Sequence, residues 1–516
     1  MTSAESRISG AAAEESRSRP ASFWTDALAA IESSRALQFA ALLVIAFAVR
    51  ITIFGDWTYH TDEQFYSLVG QRMLQGKLLY VDMWDRKGPV LFLIYAACAL
   101  ISKSVLSYQI AATISAALGA FLITRLAARL TEVRYALLAG VSYYGLLAHF
   151  GGGGGQSPVF YNTLMLVAAY TIATNLDRLR SGKVPPAVYL GIICAGLAMA
   201  VKAVAAIEGA YFGIVILALL WRSPCSRSRV FTQVLALAVL ALAPYLITFL
   251  YFAAIGHFGE VWNALVMSNL NRTYDTPVMR LWRSAVLLGS LVLILVFAAV
   301  GWYRASREKG RSPLLTFLAI WAVVALGAVL FFPNIYVHYA LPIAPPLCIL
   351  SARYFARGTI GLVGFAILLV YNFTVGGQFD FRERHQAYRN GADLAAYVRA
   401  ETPDRKLLVY SSANYLYALV DAPLLSRIAF ATHLFDDTES GVTGLNEHRE
   451  VRQILATRPQ TVVFEGTIDY RITQNMINND AVRRYLKTCR KMRSFTLYTF
   501  EEPRQEQRVY SLCRGR

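Results

Sequence analysis

Apolar runs of roughly 12 to 26 residues recur from Ala36 to Phe373, separated by short polar stretches, which is the pattern of a polytopic membrane protein. The segments Ala36–Phe54, Tyr108–Thr124, Tyr135–Phe150, Val159–Asn175, Val230–Ile255, Leu281–Tyr303, Leu314–Phe332, Val337–Leu350 and Thr359–Phe373 each read as one crossing. Val188–Trp221 is too long for one span and carries Lys202 and Glu208 near its middle, so it reads as a tight hairpin with an outward-facing turn. Val90–Ile101 is short for a span and reads as a segment that lies on the outer surface or dips in and returns. These assignments give about 11 spans plus outer-surface helices. No internal repeat is evident.

Charge orients the pattern. The chain has 516 residues, is 56% hydrophobic and only 16% charged, and its formal net charge is +17. The basic residues cluster in alternate short loops, as at Arg125, Arg129 and Arg134, at Arg222, Arg227 and Arg229, and at Arg304, Arg307, Lys309 and Arg311. This is the positive-inside signature rather than a nucleic-acid footprint, and no nucleic-acid partner is expected. Residues 1–35, rich in Ala, Ser, Glu and Arg, read as a disordered cytoplasmic tail. That tail is too long and polar to open a cleaved signal peptide, so the first apolar run is expected to stay as an anchor.

After Phe379 the pattern changes to alternating strands and helices. Leu407–Tyr410 and Thr461–Phe464 read as buried strands, with Gly391–Arg399, Arg449–Ala456 and Ala481–Lys491 as helices. Phe495–Phe500 and Val509–Leu512 read as a terminal strand pair flanked by Cys489 and Cys513. The expected fold is therefore an α-helical polytopic membrane domain, residues 36–376, with a small extracytoplasmic α/β domain, residues 377–516. In an extracytoplasmic domain Cys489 and Cys513 either form a disulfide or stay free; Cys98, Cys194, Cys225 and Cys348 read as unpaired packing residues.

The first outer loop, residues 55–107, is denser in acid, base and aromatic groups than a connection needs. Thr61 is a candidate helix cap with Gln64 reaching back, and Phe65, Leu68, Val69 and Met73 then predict a short amphipathic helix on the outer surface, ended by Gly76. Asp62 and Glu63 sit at its positive end, either as loop acids capping the helix or as a general base for an acceptor. Lys87 either snorkels at the interface or holds an anionic leaving group. Lys202 interrupts an apolar run and needs a partner, either Glu208 or a lipid phosphate. The run Gly151–Gly155 lacks the Lys and Ser or Thr of a phosphate loop and reads as a flexible loop or as a backbone approach to lipid phosphate. His60, His149, His257 and His338 fall at the outer rim without metal-ligand spacing. Tyr66, Asp85, Arg86, Gln156, Glu208, Arg272, Tyr274 and Tyr339 complete the candidate pocket.

The order Asp62-Glu63, then Tyr80-x-Asp82, then Asp85-Arg86-Lys87-Gly88-Pro89 resembles the first outer loop of GT-C glycosyltransferases, in the branch of protein O-mannosyltransferases and lipid A aminoarabinose transferases. That family usually carries Lys-Pro-Pro where this chain has Lys87-Gly88-Pro89. Gly196-Leu197 through Lys202, Asn269 to Tyr274, and His338-Tyr339 with Pro342, Pro345 and Pro346 are similar to further family segments, and Ser411 to Arg427 looks like the outer domain of bacterial members. The resemblance implies an enzyme of the inner (plasma) membrane that moves a sugar from a polyprenyl-phosphate donor to an extracytoplasmic protein, lipid or glycan, with inversion. It assigns the base to Asp62 or Glu63 and the donor phosphate to Lys87, Lys202, Arg272 and His338. Some GT-C enzymes hold a metal through acids in the second outer loop; this chain has Gln156 and no acid from Gly151 to Asn162, so neither metal nor other cofactor is expected. The competing classes are a transporter or flippase of lipid-linked sugar, with a site near the midplane, and a non-catalytic envelope-assembly protein of the same architecture.

Overall fold

The computed structural model describes residues 19–310, 312–330, 334–410, 413–465, 475–500 and 504–514. Residues 1–18 of the expected disordered tail, the expected span end Phe332, and residues 411–412 of the segment compared with bacterial outer domains lie outside the described residues. From Arg19 the expectation of disorder is overturned: Arg19–Ser33 is a helix. Its run Ala27-Leu28-Ala29-Ala30 consists of strong helix formers. The next helix, Arg35–Arg50, is capped by Ser34, which accepts from Leu37 N at 3.4 Å.

The bundle follows the apolar pattern closely. Val105–Ala127, Val133–His149, Ser157–Ala173 and Arg227–Ala254 each enclose or nearly enclose a predicted segment. Small residues let the backbones approach: Gly191 packs on Ala168 and Thr171 of the neighbouring helix, and Gly301 packs against the Leu350 carbonyl. The predicted hairpin is present as Pro186–Val201 and Ala205–Trp221, broken at Lys202. Two predicted spans are interrupted instead. Leu281–Tyr303 is split into Pro277–Ser290 and Val292–Lys309, with a 60° bend just after Gly289-Ser290. Val337–Leu350 begins as a 3-10 turn, Val337–Ile343, before the helix Ala344–Phe355, because Pro342 cannot donate to a regular helix.

Among the described residues, three helices are long and apolar enough to cross a membrane, and the bent pair makes a fourth. The other apolar helices, such as Pro89–Ile101 and Thr359–Val375, run from 13 to 17 residues. At 1.5 Å per residue the longest of these reach about 26 Å, a few ångströms short of a ~30 Å hydrocarbon core. The expected figure of about 11 spans counts such helices, Pro89–Ile101 excepted, as crossings.

The C-terminal region forms a four-stranded sheet in the order β1-β2-β4-β3, with β1 Leu407–Tyr410, β2 Thr461–Glu465, β3 Lys491–Leu497 and β4 Gln505–Ser511. β1 and β2 are parallel, joined through the helix Glu447–Ala456, and β4 pairs antiparallel with both β2 and β3. The predicted helix at Ala481–Lys491 lies earlier, at Met476–Leu486, because Asn475 caps it and Lys491 is drawn into pairing with Ser511. Cys489 and Cys513 are disulfide-bonded, tying the turn before β3 to the residues after β4.

The expected surface helix of the first loop, Thr61–Leu74, is instead buried along nearly its whole length, from Glu63 to Gln71. Pro89–Ile101 packs on one side of it and the C-terminal region covers the other. Gln71 donates to the Tyr415 hydroxyl (3.1 Å), Arg72 to the carbonyls of Tyr417 and Ala422, and Phe65 meets Phe430 at 5.1 Å between ring centroids. The helix was expected to face solvent because its cover lies more than 340 residues along the chain.

Gly88 explains the departure from Lys-Pro-Pro. Its backbone is extended and N-caps the helix Pro89–Ile101. A Cβ at this position would overlap the carbonyl of Ala200 at the end of Pro186–Val201. Gly88→Ala and Gly88→Pro are therefore expected to destabilise the protein by about 1–3 kcal/mol. A lowered melting temperature of the detergent-solubilised protein measures this; unchanged melting would contradict the packing described.

Candidate active site

The site is built on the first-loop helix and the bend that follows it. The helix cap is His60, not Thr61: His60 is extended and its Nδ1 accepts from Asp62 N at 3.3 Å. Gln64 reaches back through its backbone N–H, to His60 O, rather than through its side chain. The first turn then sends its two acids in different directions. Asp62 lines a cavity of about 800 Å³, whereas Glu63 is fully buried outside it.

Glu63 lies under the glycine run. A Cβ on Gly154 would overlap its carboxylate, and Cβ atoms on Gly153 and Gly155 would overlap the hydroxyls of Tyr59 and Tyr95. Arg50 also holds the run, donating to Gly152 O at 2.7 Å and Gly154 O at 3.2 Å. Gly151–Gly155 is thus neither a flexible loop nor a seat for phosphate. It is a buried seam without room for side chains, and it is absent from the cavity lining.

The seam ends at Gln156, whose orientation is set locally. Its Oε1 accepts from Ser157 N at 2.8 Å, which turns Nε2 toward Asp62 Oδ2 at 2.9 Å. Tyr66, one helical turn after Asp62, donates to the same oxygen at 3.0 Å. The other face of the carboxylate meets Lys87. Tyr80, at φ +68°, turns the chain, its hydroxyl donates to Lys87 O at 2.9 Å, and Asp85 Oδ1 accepts from Lys87 N at 2.7 Å. This bend brings Lys87 Nζ to 3.9 Å from Asp62, 3.7 Å from Asp85 and 4.9 Å from the Tyr66 ring centre. Burial pushes the Asp62 carboxyl upward, but the charge of Lys87, then His60 and His338, and the Gln156 amide outweigh it and hold Asp62 well below the usual carboxylate range.

Lys202 reaches the same cavity from the turn between its two apolar helices, 4.4 Å above the Tyr339 ring. Glu208, one of its two candidate partners, is elsewhere, accepting from Trp321 Nε1 at 2.5 Å. The helix starting at Ala205 carries Glu208 about one turn down toward Trp321, away from the turn that holds Lys202. His338 lines the cavity 6.1 Å from the His60 ring, and Arg272 enters from the loop after Leu270. Tyr274 does not contribute: it is 62% exposed beneath the guanidinium of Arg280 and outside the cavity lining. Two residues after Arg272, it points out of the loop while Asp275, which pairs with Arg283 at 2.8 Å, points in. Of the rim histidines, His60, His149 and His338 line the cavity; His257 pairs with Glu260 outside it.

Sequence reasoning missed the other half of the cavity. Its roof is C-terminal: Tyr410, Phe430, His433, Glu439, Phe464 and Phe500. Phe500 stacks on His60 with 8° between the rings, and its N–H donates to Tyr59 O at 2.8 Å. Glu439 pairs with Arg86 at 2.5 Å and with Arg272 at 3.3 Å. Tyr410, Phe464 and Phe500 fall in predicted strands, but no local signal turns them toward the first loop, and Phe430, His433 and Glu439 belong to no periodic pattern or motif.

No family model and no curated protein matches the sequence. Among solved structures, ArnT from Cupriavidus metallidurans in the apo state superposes with a TM-score of 0.59 at 13% identity, over 92% of this chain and 97% of that one. The same protein bound to undecaprenyl phosphate superposes with a TM-score of 0.59 at 14% identity and the same coverage. The chain has a GT-C fold. The near-complete coverage of both partners extends the GT-C likeness through the C-terminal sheet as well as the bundle.

Within this GT-C cavity, the charge of Lys202 is sensitive to pH. Loss of water around its ammonium pushes it down to about 8, with Tyr339 opposing and Lys87 assisting. The ammonium is charged below that value and neutral above it. An anion held by Lys202 is therefore expected to bind less tightly as pH rises through about 8, and Lys202→Arg is expected to flatten the dependence. Titration of undecaprenyl phosphate between pH 6.5 and 9.5 checks this; a flat wild-type profile would rule it out.

Proposed function

We propose that the protein is a membrane glycosyltransferase that takes a sugar from a polyprenyl-phosphate donor and passes it to an extracytoplasmic acceptor. The observation that carries this reading is that Asp62 and the cations Lys87, Lys202 and Arg272 line one cavity. Transfer needs an acceptor-side carboxylate and, opposite it, positive charge for the departing phosphate. ArnT, whose fold this chain shares, has a structure bound to undecaprenyl phosphate, which supports a lipid phosphate as the anion.

In this reading the acceptor hydroxyl hydrogen-bonds to Asp62 and attacks the anomeric carbon from the face opposite the phosphate. A new bond forms between acceptor oxygen and anomeric carbon as the bond from that carbon to the phosphate oxygen breaks, so the configuration inverts. The electron pair leaves with polyprenyl phosphate onto Lys87, Lys202 and Arg272, with His338 beside them. Asp62 takes the hydroxyl proton. A carboxylate held so firmly ionised is a weak base in the empty site. Donor phosphate on Lys87 shares the charge that now stabilises Asp62, so the base strengthens once the donor is in place. Glu63 acts through structure, under the glycine seam.

Metal independence is part of the proposal. Gln156 contributes an amide rather than a carboxylate beside Asp62, and the cavity cations already supply the positive charge. Chelator treatment is expected to leave transfer unchanged, and a loss restored by a divalent cation would refute this.

The acid pair tests the assignment. In a deletion strain, Asp62→Asn is expected to lower sugar transfer to envelope glycans at least about 100-fold relative to wild type, with lipid-linked donor accumulating. Glu63→Gln is expected to reduce the amount of folded protein more than turnover per folded molecule. Wild-type transfer by a folded Asp62→Asn protein would sink the proposal.

A further inference from the structure

The cavity holds an acid that the transfer chemistry does not use. Glu439 ends the short turn Asp437–Glu439 of the C-terminal region, and its side chain is 3% exposed. One carboxylate oxygen accepts from Arg86 of the first loop at 2.5 Å and lies 3.5 Å from His433 Nδ1; the other accepts from Arg272 at 3.3 Å. The ring of His433 stands edge-on to Trp84, 4.8 Å away. Glu439 therefore joins three separate stretches of chain, centred on residues 86, 272 and 433.

Two guanidiniums converging on one carboxylate leave donors unused. Arg86 Nη1 and Arg272 Nε are both buried without a hydrogen-bond acceptor. Arg272 also bonds Tyr339, over whose ring Lys202 sits. A phosphate approaching Lys202 and Arg272 thus meets an arginine already engaged by Glu439. Burial pushes the Glu439 carboxyl upward, but Arg86, then His433 and Arg272, outweigh it and hold it well below the usual range, so the negative charge persists at any working pH.

We infer that Glu439 is the resident counter-ion of the Arg86–Arg272 pair, a positioning residue that holds both guanidiniums at the cavity and competes with the donor phosphate for Arg272. The inference rests on reading the cavity as the donor site. It has an uncommon sign. Removing a residue that binds donor weakens donor binding. Removing Glu439 makes the cavity one charge more positive and frees Arg272, so donor phosphate binds more tightly. The same change leaves two like charges to repel each other, so Arg272 loses its placement and transfer slows. A purely structural role predicts no gain in affinity.

The experiment uses the full-length protein in lipid nanodiscs, with undecaprenyl phosphate as the probe by calorimetry and complementation of a deletion strain as the readout of transfer. Glu439→Gln is expected to bind the probe about 5-fold more tightly, as removal of one neighbouring charge allows, while transfer falls. Glu439→Asp keeps the charge on a shorter arm; it is expected to retain wild-type affinity and to lose transfer. Unchanged or weaker binding by Glu439→Gln overturns the inference. Should Glu439→Gln not fold, Glu439→Asp decides: wild-type transfer, or a gain in affinity, overturns it equally. Wild-type binding that is abolished by Lys202→Ala but unmoved by Glu439→Gln defeats this inference alone. Absence of probe binding by the wild type defeats the donor-site reading and this inference with it.

Discussion

A carboxylate taken out of water must find positive charge or hydrogen-bond donors, and the arrangement around Asp62 follows from that requirement. Three stretches of chain converge on it: its own helix through Tyr66, the end of the glycine seam through Gln156, and the bend before Pro89–Ile101 through Lys87. Each partner is fixed by something further out. Gln156 is oriented by the Ser157 N–H, Lys87 by Asp85 and by the hydroxyl of Tyr80, and the glycine seam leading to Gln156 by Arg50. One charged contact in the cavity therefore depends on backbone geometry spread across several helix ends of the bundle.

The same logic explains why the C-terminal region cannot be treated as an appendage. It covers one side of the first-loop helix, meeting Phe65, Gln71 and Arg72, and it closes the cavity with Phe430, His433 and Phe500. It also supplies the acid that two cavity arginines share. A sheet held by a disulfide at one edge gives these contacts a rigid base. The bundle and the sheet thus build a single site from opposite sides.

Polar groups interrupt the apolar helices where the site needs them. Lys202 sits in the break of a hairpin, Arg272 in the loop before the bent pair, and His338 in a proline-limited 3-10 turn. Broken helices let charged side chains enter a cavity without placing them against lipid. Glu208 shows the contrasting case: one turn into a helix, it finds an indole N–H instead of a ligand.

The sequence by itself determined the elements whose cause is local. Long apolar runs specify helices wherever they fold, and the Lys202 break is visible because a charge interrupts one run. Leu407–Tyr410 and Thr461–Phe464 were legible as strands because an uninterrupted apolar stretch of that length suits a strand covered on both faces. Of the candidates that line the cavity, Lys202 was legible because a charge interrupts an apolar run, whereas Asp62 and Lys87 stood out in a loop dense in charge and Arg272 and His338 were singled out through the resemblance to GT-C enzymes. Only the tertiary structure decided their surroundings. Asp62 and Glu63 are neighbours in sequence but about 100° apart around a helix, so packing alone sends one to the cavity and the other under the glycine seam. The first-loop helix looked exposed, and Glu439 looked like any loop acid, because their partners lie hundreds of residues away and leave no trace in local periodicity.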